Sequence, residues 1–188
     1  MRLRAARAGD AAAIAALHLA SWRDAYRGVL DDQVLDVVAP VALPGHWTAT
    51  LPLARPGAVI LAVADGAPAG FVAAYVEGAT AYVDNLHVAP GLRGGGVGRV
   101  LLGLAARRLR RLGCTRAELF AFAGNTGALR FYARLGAAIG PVQPCEVHGH
   151  PAEDRICAWE EIGTLIAATA PPGRAGGAAA GRGRPPPA

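Results

Sequence analysis

Residues 93–99 read Arg93-Gly94-Gly95-Gly96-Val97-Gly98-Arg99, and they lie where one backbone periodicity gives way to another. Before them, Thr80–Val88 (TAYVDNLHV) is rich in β-branched and aromatic residues and predicts a strand, broken by Pro90-Gly91. After them, Val97–Leu112 sets Val97, Leu101, Leu104 and Ala105 on one stripe with arginines opposite, a helix that Gly113 ends. Consecutive glycines let backbone N–H groups converge on a concave site without Cβ hindrance, and a helix N-terminus adds free donors and a positive dipole end. Arg93 and Arg99 add full charge. The stretch predicts a cradle for phosphate or pyrophosphate; the blander alternative is a turn that only lets the helix pack closely. A nucleotide P-loop is excluded, because it needs lysine and the chain has none. A dinucleotide fingerprint fails as well: its third glycine position holds Arg99 or Leu101, depending on the start.

On the N-terminal side, Arg2–Ala6 predicts a first strand, and Asp10 caps a helix over Ala11–Arg27 that Gly28 ends. Ile14 and Leu17 form one stripe of that helix. Trp22 and Tyr26 form another, so the two can serve different surfaces. Asp31 or Asp32 starts a shorter helix that Pro40 stops, and residues 40–57, with Pro40, Pro44, Pro52 and Pro56, read as loop. Ala58–Ala64 and Gly70–Glu77 flank an Asp65-Gly66 hairpin turn. On the C-terminal side, Thr115–Phe122 is a strand, and Asn125 caps a helix to Leu135 that Gly136 ends. Ala137–Cys145 and Asp154–Ile162 predict two last strands. Three strands ahead of a βαβ-like unit imply a mixed sheet.

Composition bounds the rest. Residues 1–165 suit one domain, and the Pro/Gly/Ala/Arg run within 166–188 has too few large apolar side chains to offset its ordering entropy, so a disordered tail is expected there. All 19 cationic residues are arginine. Three of them (Arg174, Arg182, Arg184) lie in the tail, so the net charge of +5 falls to +2 for the remainder. Nucleic acid is therefore not the expected partner, and an anionic small ligand near Arg93–Arg116 is. Three sparse cysteines argue against a disulfide framework, and no apolar run is long enough to span a membrane, so a cytoplasmic setting is expected. Cys145, His148 and His150 match no standard zinc spacing, and no metal is expected.

With these residues in view, the chain resembles the GNAT superfamily of N-acetyltransferases. Leu86-His87-Val88-x-Pro90-x-x-Arg93-Gly94-x-Gly96-Val97-Gly98 is similar to the family's acyl-CoA-binding motif, and Asn125-x-x-Ala128-x-x-Phe131-Tyr132-x-x-x-Gly136 to its second block. Ser21–Gly28 resembles a common bacterial subgroup, and Ala137 departs from the aromatic residue that often follows the glycine. The resemblance spans about residues 2–162 and implies an α/β fold with a mixed, mostly antiparallel central sheet of about six or seven strands, flanked by about four helices, whose fourth and fifth strands splay apart. It further implies that Leu86, His87 and Val88 pair with the pantetheine arm of acetyl-CoA through their strand. The backbone from Arg93 through Gly94, Gly95, Gly96, Val97 and Gly98 to Arg99 would hold the pyrophosphate. Asn125 and Ala128 would lie beside pantetheine, and Tyr132 beside the thioester sulfur.

The implied reaction moves an acetyl or other acyl group from CoA directly to a primary amine of a small molecule or protein. A catalytically silent acyl-CoA-binding or sensing module is the alternative. An alkylamine is only about 0.04% neutral at pH 7, so a base or a water chain is needed. Asp84 is the first candidate and shares the facing of Leu86 and Val88 by strand periodicity; His87 points to the opposite face, and Glu77 is a third option. Tyr132 is the candidate acid for the leaving thiolate. Trp22, Tyr26 and Trp47 are candidates to line the acceptor pocket, or else ordinary core aromatics. A homodimer is expected by resemblance.

Overall fold

The computed structural model describes residues 1–53 and 55–171. In chain order the elements are β1 (Arg2–Ala5), α1 (Ala11–Tyr26), α2 (Ala39–Thr50), β2 (Gly57–Ala64), β3 (Ala67–Glu77), β4 (Thr80–Val88), α3 (Val97–Arg111), β5 (Arg116–Phe122), α4 (Thr126–Arg134), β6 (Ala138–Ile139), β7 (Gln143–Val147), β8 (His150–Trp159) and α5 (Ile162–Ala168). A 3₁₀ turn at Ala8–Asp10 precedes α1, and a π-helical turn at Val34–Val38 leads into α2.

The eight strands form one sheet in the order β1-β2-β3-β4-β5-β8-β6, with β7 also paired to β8. Every pairing is antiparallel except β4 with β5. That parallel pair covers only Thr80–Tyr82 against Arg116–Glu118. Beyond Tyr82 the two strands share no register, and β4 keeps only β3 as a partner as far as Val88.

Each face of the sheet has its own core. On one, Val97, Leu101, Leu102, Ala105, Ala106 and Leu109 of α3 pack with Val72, Ala74, Ala81 and Val83, joined by Tyr132, Trp159 and Leu165. On the other, Ile14 and Leu17 of α1 and Leu43 and Trp47 of α2 cover Leu61, Phe71, Ala73 and Tyr75. Gly70 brings α3 close to the sheet: a Cβ there would stand 2.8 Å from the His87 carbonyl oxygen and 3.2 Å from Val97 and Leu101. This approach sets the N-terminus of α3 beside the end of β4.

Several local expectations change. Asp10 does not cap α1; its carboxylate holds the Arg4 guanidinium (2.7 Å on both oxygens) and accepts the Arg7 backbone N–H, which draws its pKa down to about 2. Residues 40–57 are not a loop that Pro40 begins. Pro40 lies in the first turn of α2, where a backbone N–H has no helical partner to lose, and the burial of Ala39, Leu43 and Trp47 offsets the bond forfeited at Pro44. The strand expected over 137–145 is cut in two around Gly140-Pro141, and β8 begins four residues before Asp154, at His150. Ile162 does not close a strand; it opens α5. The tail expected from residue 166 falls outside the described residues from 172 onward, but residues 166–168 complete α5, which packs on α3 where Gly103 lies against Thr169.

If α5 is part of the core, Leu165→Ala, at a position with 0% exposure, lowers unfolding free energy by about 2–5 kcal/mol. Denaturant unfolding checks this, and an unchanged midpoint would mean that the domain ends before α5.

Candidate active site

The glycine-rich turn adopts the backbone its sequence requires. Gly91, Gly94 and Gly96 have φ values of +83°, +82° and +82°, and a Cβ at any of the three would meet nothing within 4 Å, so the concave side is open. Gly96 is the N-cap of α3 and offers no side chain, which leaves the N–H groups of Val97, Gly98 and Arg99 without intrahelical partners. Gly98 lies between Val88 and Phe131. The open edge of β4 ends at this turn, so a row of unpaired backbone groups leads from Val83 to a ring of free N–H donors.

The charges expected there are spent differently. Arg93 turns toward α1: its guanidinium donates to Asp24 Oδ2 at 2.5 Å and to the Ser21 carbonyl and hydroxyl at 3.2 Å each. Arg99 donates to the Ala170 carbonyl beyond α5. Both side chains anchor the turn to neighbouring elements, and the free backbone N–H groups remain on its open side.

A cavity of about 450 Å³ opens on the opposite face of the sheet, where α1 and α2 meet β4, β5 and the β7–β8 hairpin. Trp22 and Tyr26 line it with His18, His46, Tyr82, Asn85, Phe120 and Phe122. Trp47 does not. It is fully buried in the core and donates its indole N–H to His18 Nδ1 at 3.1 Å, because α2 continues through the proline-rich stretch and carries it inward.

Asp84 and His87 line this cavity together, which overturns the expected facing. Ala73 is paired with Asn85 and Ala74 with Val83, leaving Asp84 as the extra residue of a β-bulge. The bulge resets the alternation: Val83 and Leu86 both face the α3 core, while Asp84 and His87 turn to the cavity side. Asp84 is open to the cavity, but its walls hold the carboxyl above the ordinary carboxylate range, chiefly by desolvation. His46, the Asn85 amide at 2.7 Å and Arg55 oppose that shift. Glu77 is not among the lining residues.

His87 and His18 stack with centroids 4.2 Å apart. Burial lowers both pKa values, His87 to about 3, so both rings are neutral. Ser21 Oγ lies 3.1 Å from His87 Nδ1. A hydrogen-bonded chain thus runs from Asp24 through Arg93 and Ser21 to His87, from the glycine turn to the cavity wall.

Tyr26 stands at the seam between the two regions. It stacks edge-on with Trp22 and Phe122; burial raises the pKa of its phenol, and the Asn125 side chain and Arg93 oppose that shift. Asn125 Oδ1 also caps α4 by accepting the Ala128 N–H at 3.1 Å. Tyr132 is buried between Phe131 and Trp159; burial, then Tyr26 and Cys157, hold its phenol above the usual range, so it stays protonated. Among the described residues, no group of three or more His, Cys, Asp or Glu side chains is placed to hold a metal, and no helix is long and apolar enough to cross a membrane.

His18, Tyr82, Phe120, Phe122, Glu146 and Asp154 complete the cavity but had not been singled out from the sequence. Alternation on β5 was the available signal for Phe120 and Phe122; Glu146 and Asp154 carried none, because a hairpin distant in sequence brings them in.

Residues 19–137 match the model of the acetyltransferase (GNAT) family, and the chain belongs to that family. Solved structures share the fold. A GCN5-related N-acetyltransferase from Rhodopseudomonas palustris is similar with a TM-score of 0.70 at 22% identity, covering 84% of this chain and 93% of its own. The PaiA N-acetyltransferase of Thermoplasma acidophilum, in complex with coenzyme A, gives 0.66 at 16% identity over 82% and 96%. YncA from Salmonella typhimurium, with its cofactor acetyl-CoA, gives 0.63 at 20% identity over 86% and 94%. No curated protein sequence matches the chain at a significant level.

If Arg93 acts by pinning the turn to α1, then Arg93→Ala and Asp24→Asn weaken acetyl-CoA binding alike, by about three- to fivefold in calorimetric titration. Loss confined to Arg93→Ala would mean that its charge acts on the ligand directly.

Proposed function

We propose that this protein is an acyl-CoA-dependent N-acyltransferase that transfers an acetyl group from acetyl-CoA to a primary amine in a ternary complex. One observation carries the reading: the open edge of β4 leads from the free backbone donors of the glycine turn toward a cavity that Asp84 lines. Family membership supports it. The residues present fit acetyl-CoA. The glycine turn has room and free N–H groups for a pyrophosphate, and the unpaired N–H and C=O groups of β4 from Val83 to Val88 suit the amides of a pantetheine arm.

Acetyl-CoA supplies an activated acyl group and a thiolate leaving group. The amine arrives protonated and must lose that proton before its lone pair attacks the thioester carbon. Asp84 is our candidate to receive it, directly or through water, and its raised pKa brings it closer to the amine's own. As the C–N bond forms and the C–S bond breaks, a β4 backbone N–H is our candidate to donate to the carbonyl oxygen. Tyr132 is our candidate to protonate the departing thiolate, as the phenol kept neutral by burial next to the splayed strands.

Thiol-release assays with an amine panel test the reading. Asp84→Asn is expected to lower kcat about 10²–10⁴-fold. Wild-type activity should fall as the pH drops through the raised Asp84 pKa, where the carboxylate takes up its proton, and Asp84→Asn should lose that acid limb. Tyr132→Phe is expected to lower kcat with little change in acetyl-CoA affinity. Tight acetyl-CoA binding without turnover of any amine would favour a silent binding module.

A further inference from the structure

The hydrogen bonds that run from the glycine turn to the cavity wall also decide which nitrogen of His87 carries a proton. A guanidinium can only donate, so Arg93 occupies a lone pair of Ser21 Oγ at 3.2 Å. The Ser21 hydroxyl proton points elsewhere, and its only acceptor among the described residues is His87 Nδ1 at 3.1 Å. Nδ1 therefore accepts. Among the described residues the ring has no carboxylate within 4.0 Å to stabilise a cation, and burial, then Arg93, keeps it neutral. A neutral imidazole with an accepting Nδ1 carries its proton on Nε2.

That Nε2–H opens to the cavity. His87 keeps 8% of its surface exposed and lines the cavity wall. Nε2 makes no hydrogen bond among the described residues, yet it is not sealed from solvent as His18 Nε2 is. The ring is also held in place. It packs against His18 with centroids 4.2 Å apart and against Phe71 at 5.4 Å, and the Trp47 indole fixes His18 in turn. Neither the orientation of this donor nor the position of its proton is free to adapt, which is what a selective contact requires.

Asp84 lines the same cavity three residues earlier on β4, no more than about 11 Å of backbone away. One wall thus offers a carboxylate and, within reach of a single small molecule, a fixed donor. His87 has no lone pair to present: Nδ1 is taken by Ser21 and Nε2 is protonated. It cannot receive the proton of the amine, and that step is left to Asp84. A neutral donor beside a carboxylate favours an uncharged oxygen over an anionic one.

We propose that His87 is a specificity-determining residue: its Nε2–H donates to an uncharged oxygen of the amine substrate, and Ser21 and Arg93 act through it as positioning residues. The substrate is then a small amine that carries an ether, hydroxyl or carbonyl oxygen a few bonds from its reactive nitrogen. A plain alkylamine would cover the donor and leave it unpaired, which is how polar sites reject apolar analogues. This rests on the acyltransferase reading.

Two measurements test it. Long-range proton–nitrogen correlation spectra of the full-length protein, carrying isotope-labelled histidine, report which ring nitrogens are protonated, and His87→Phe identifies the His87 signals. At neutral pH His87 should be protonated on Nε2 alone, and Ser21→Ala should move the Nδ1 resonance toward that of an imidazole nitrogen without a hydrogen bond. A proton on Nδ1, or an Nδ1 resonance indifferent to Ser21, would overturn the inference whatever the activity. The second measurement compares 3-methoxypropylamine with pentylamine, which have equal length and differ by an ether oxygen in place of one methylene; the ether accepts a hydrogen bond and cannot donate one. Affinity is read by calorimetry with CoA present and kcat/KM by thiol release from acetyl-CoA, in wild type, His87→Phe and His87→Gln, each shown to be folded by circular dichroism. His87→Phe should lower the ether-to-alkane ratio about tenfold. His87→Gln, whose amide can place a donor near the position of Nε2, should recover part of it. A ratio unchanged or raised in His87→Phe, no recovery in His87→Gln, or no binding of either amine would overturn the inference. Turnover with an unchanged ratio would leave the acyltransferase reading standing. A His87-dependent ratio in binding without acyl transfer would keep the donor site and remove that reading.

Discussion

The structure depends on a parallel pairing that stops after three residues. β4 and β5 share register from Thr80 to Tyr82 and then part, while β3 continues to hold β4 on its other side. Backbone N–H and C=O groups need partners, and a strand edge left open inside a sheet is a template for whatever extended chain can lie along it. The two cores make that gap stable. α3 and α5 hold one face and α1 and α2 the other, so the sheet does not close when the strands separate. The elements around the gap then serve it: a helix N-terminus at one end, a bulge in its wall, and a hairpin across its far side.

Charge is distributed by the same geometry. Arginine is the chain's sole cationic residue, and the two arginines flanking the glycine turn use their planar guanidinium groups to tie it to α1 and α5. The turn can then offer neutral backbone donors and a helix dipole, which suit a phosphate without a side chain having to be ordered. Because Arg93 also reaches Ser21, and Ser21 reaches His87, the loop's position and the cavity wall are fixed by one set of hydrogen bonds. Asp84 and Asp154 lie on the other face, in a cavity that no arginine lines.

Much of this was legible in the sequence where the signal was local. β4 runs from Thr80 to Val88 as its composition predicts, α3 starts at Val97, and Asn125 caps α4 with its side chain. The positive φ values of Gly28, Gly66, Gly113 and Gly136 fall where turns or helix ends were expected. Proline misled the reading of α2, since Pro40 is harmless in a first turn and the Ala39, Leu43, Trp47 stripe outweighed Pro44. Composition misled it at residue 166, where the last turn of a short helix borders the low-complexity run.

The sequence by itself determined the glycine turn, the helix it opens and the order of elements, because each rests on backbone preferences set within a few residues. Tertiary structure alone decided which side chains meet. Strict alternation places Asp84 with Leu86, but pairing with β3 absorbs Asp84 as a bulge and turns it to the side of His87. Trp47 was drawn into the core by the packing of α2, and Glu146 and Asp154 were carried to the cavity by a hairpin more than 60 residues away in sequence. Register and long-range docking are settled by the sum of many contacts across the sheet, and no local pattern encodes that sum.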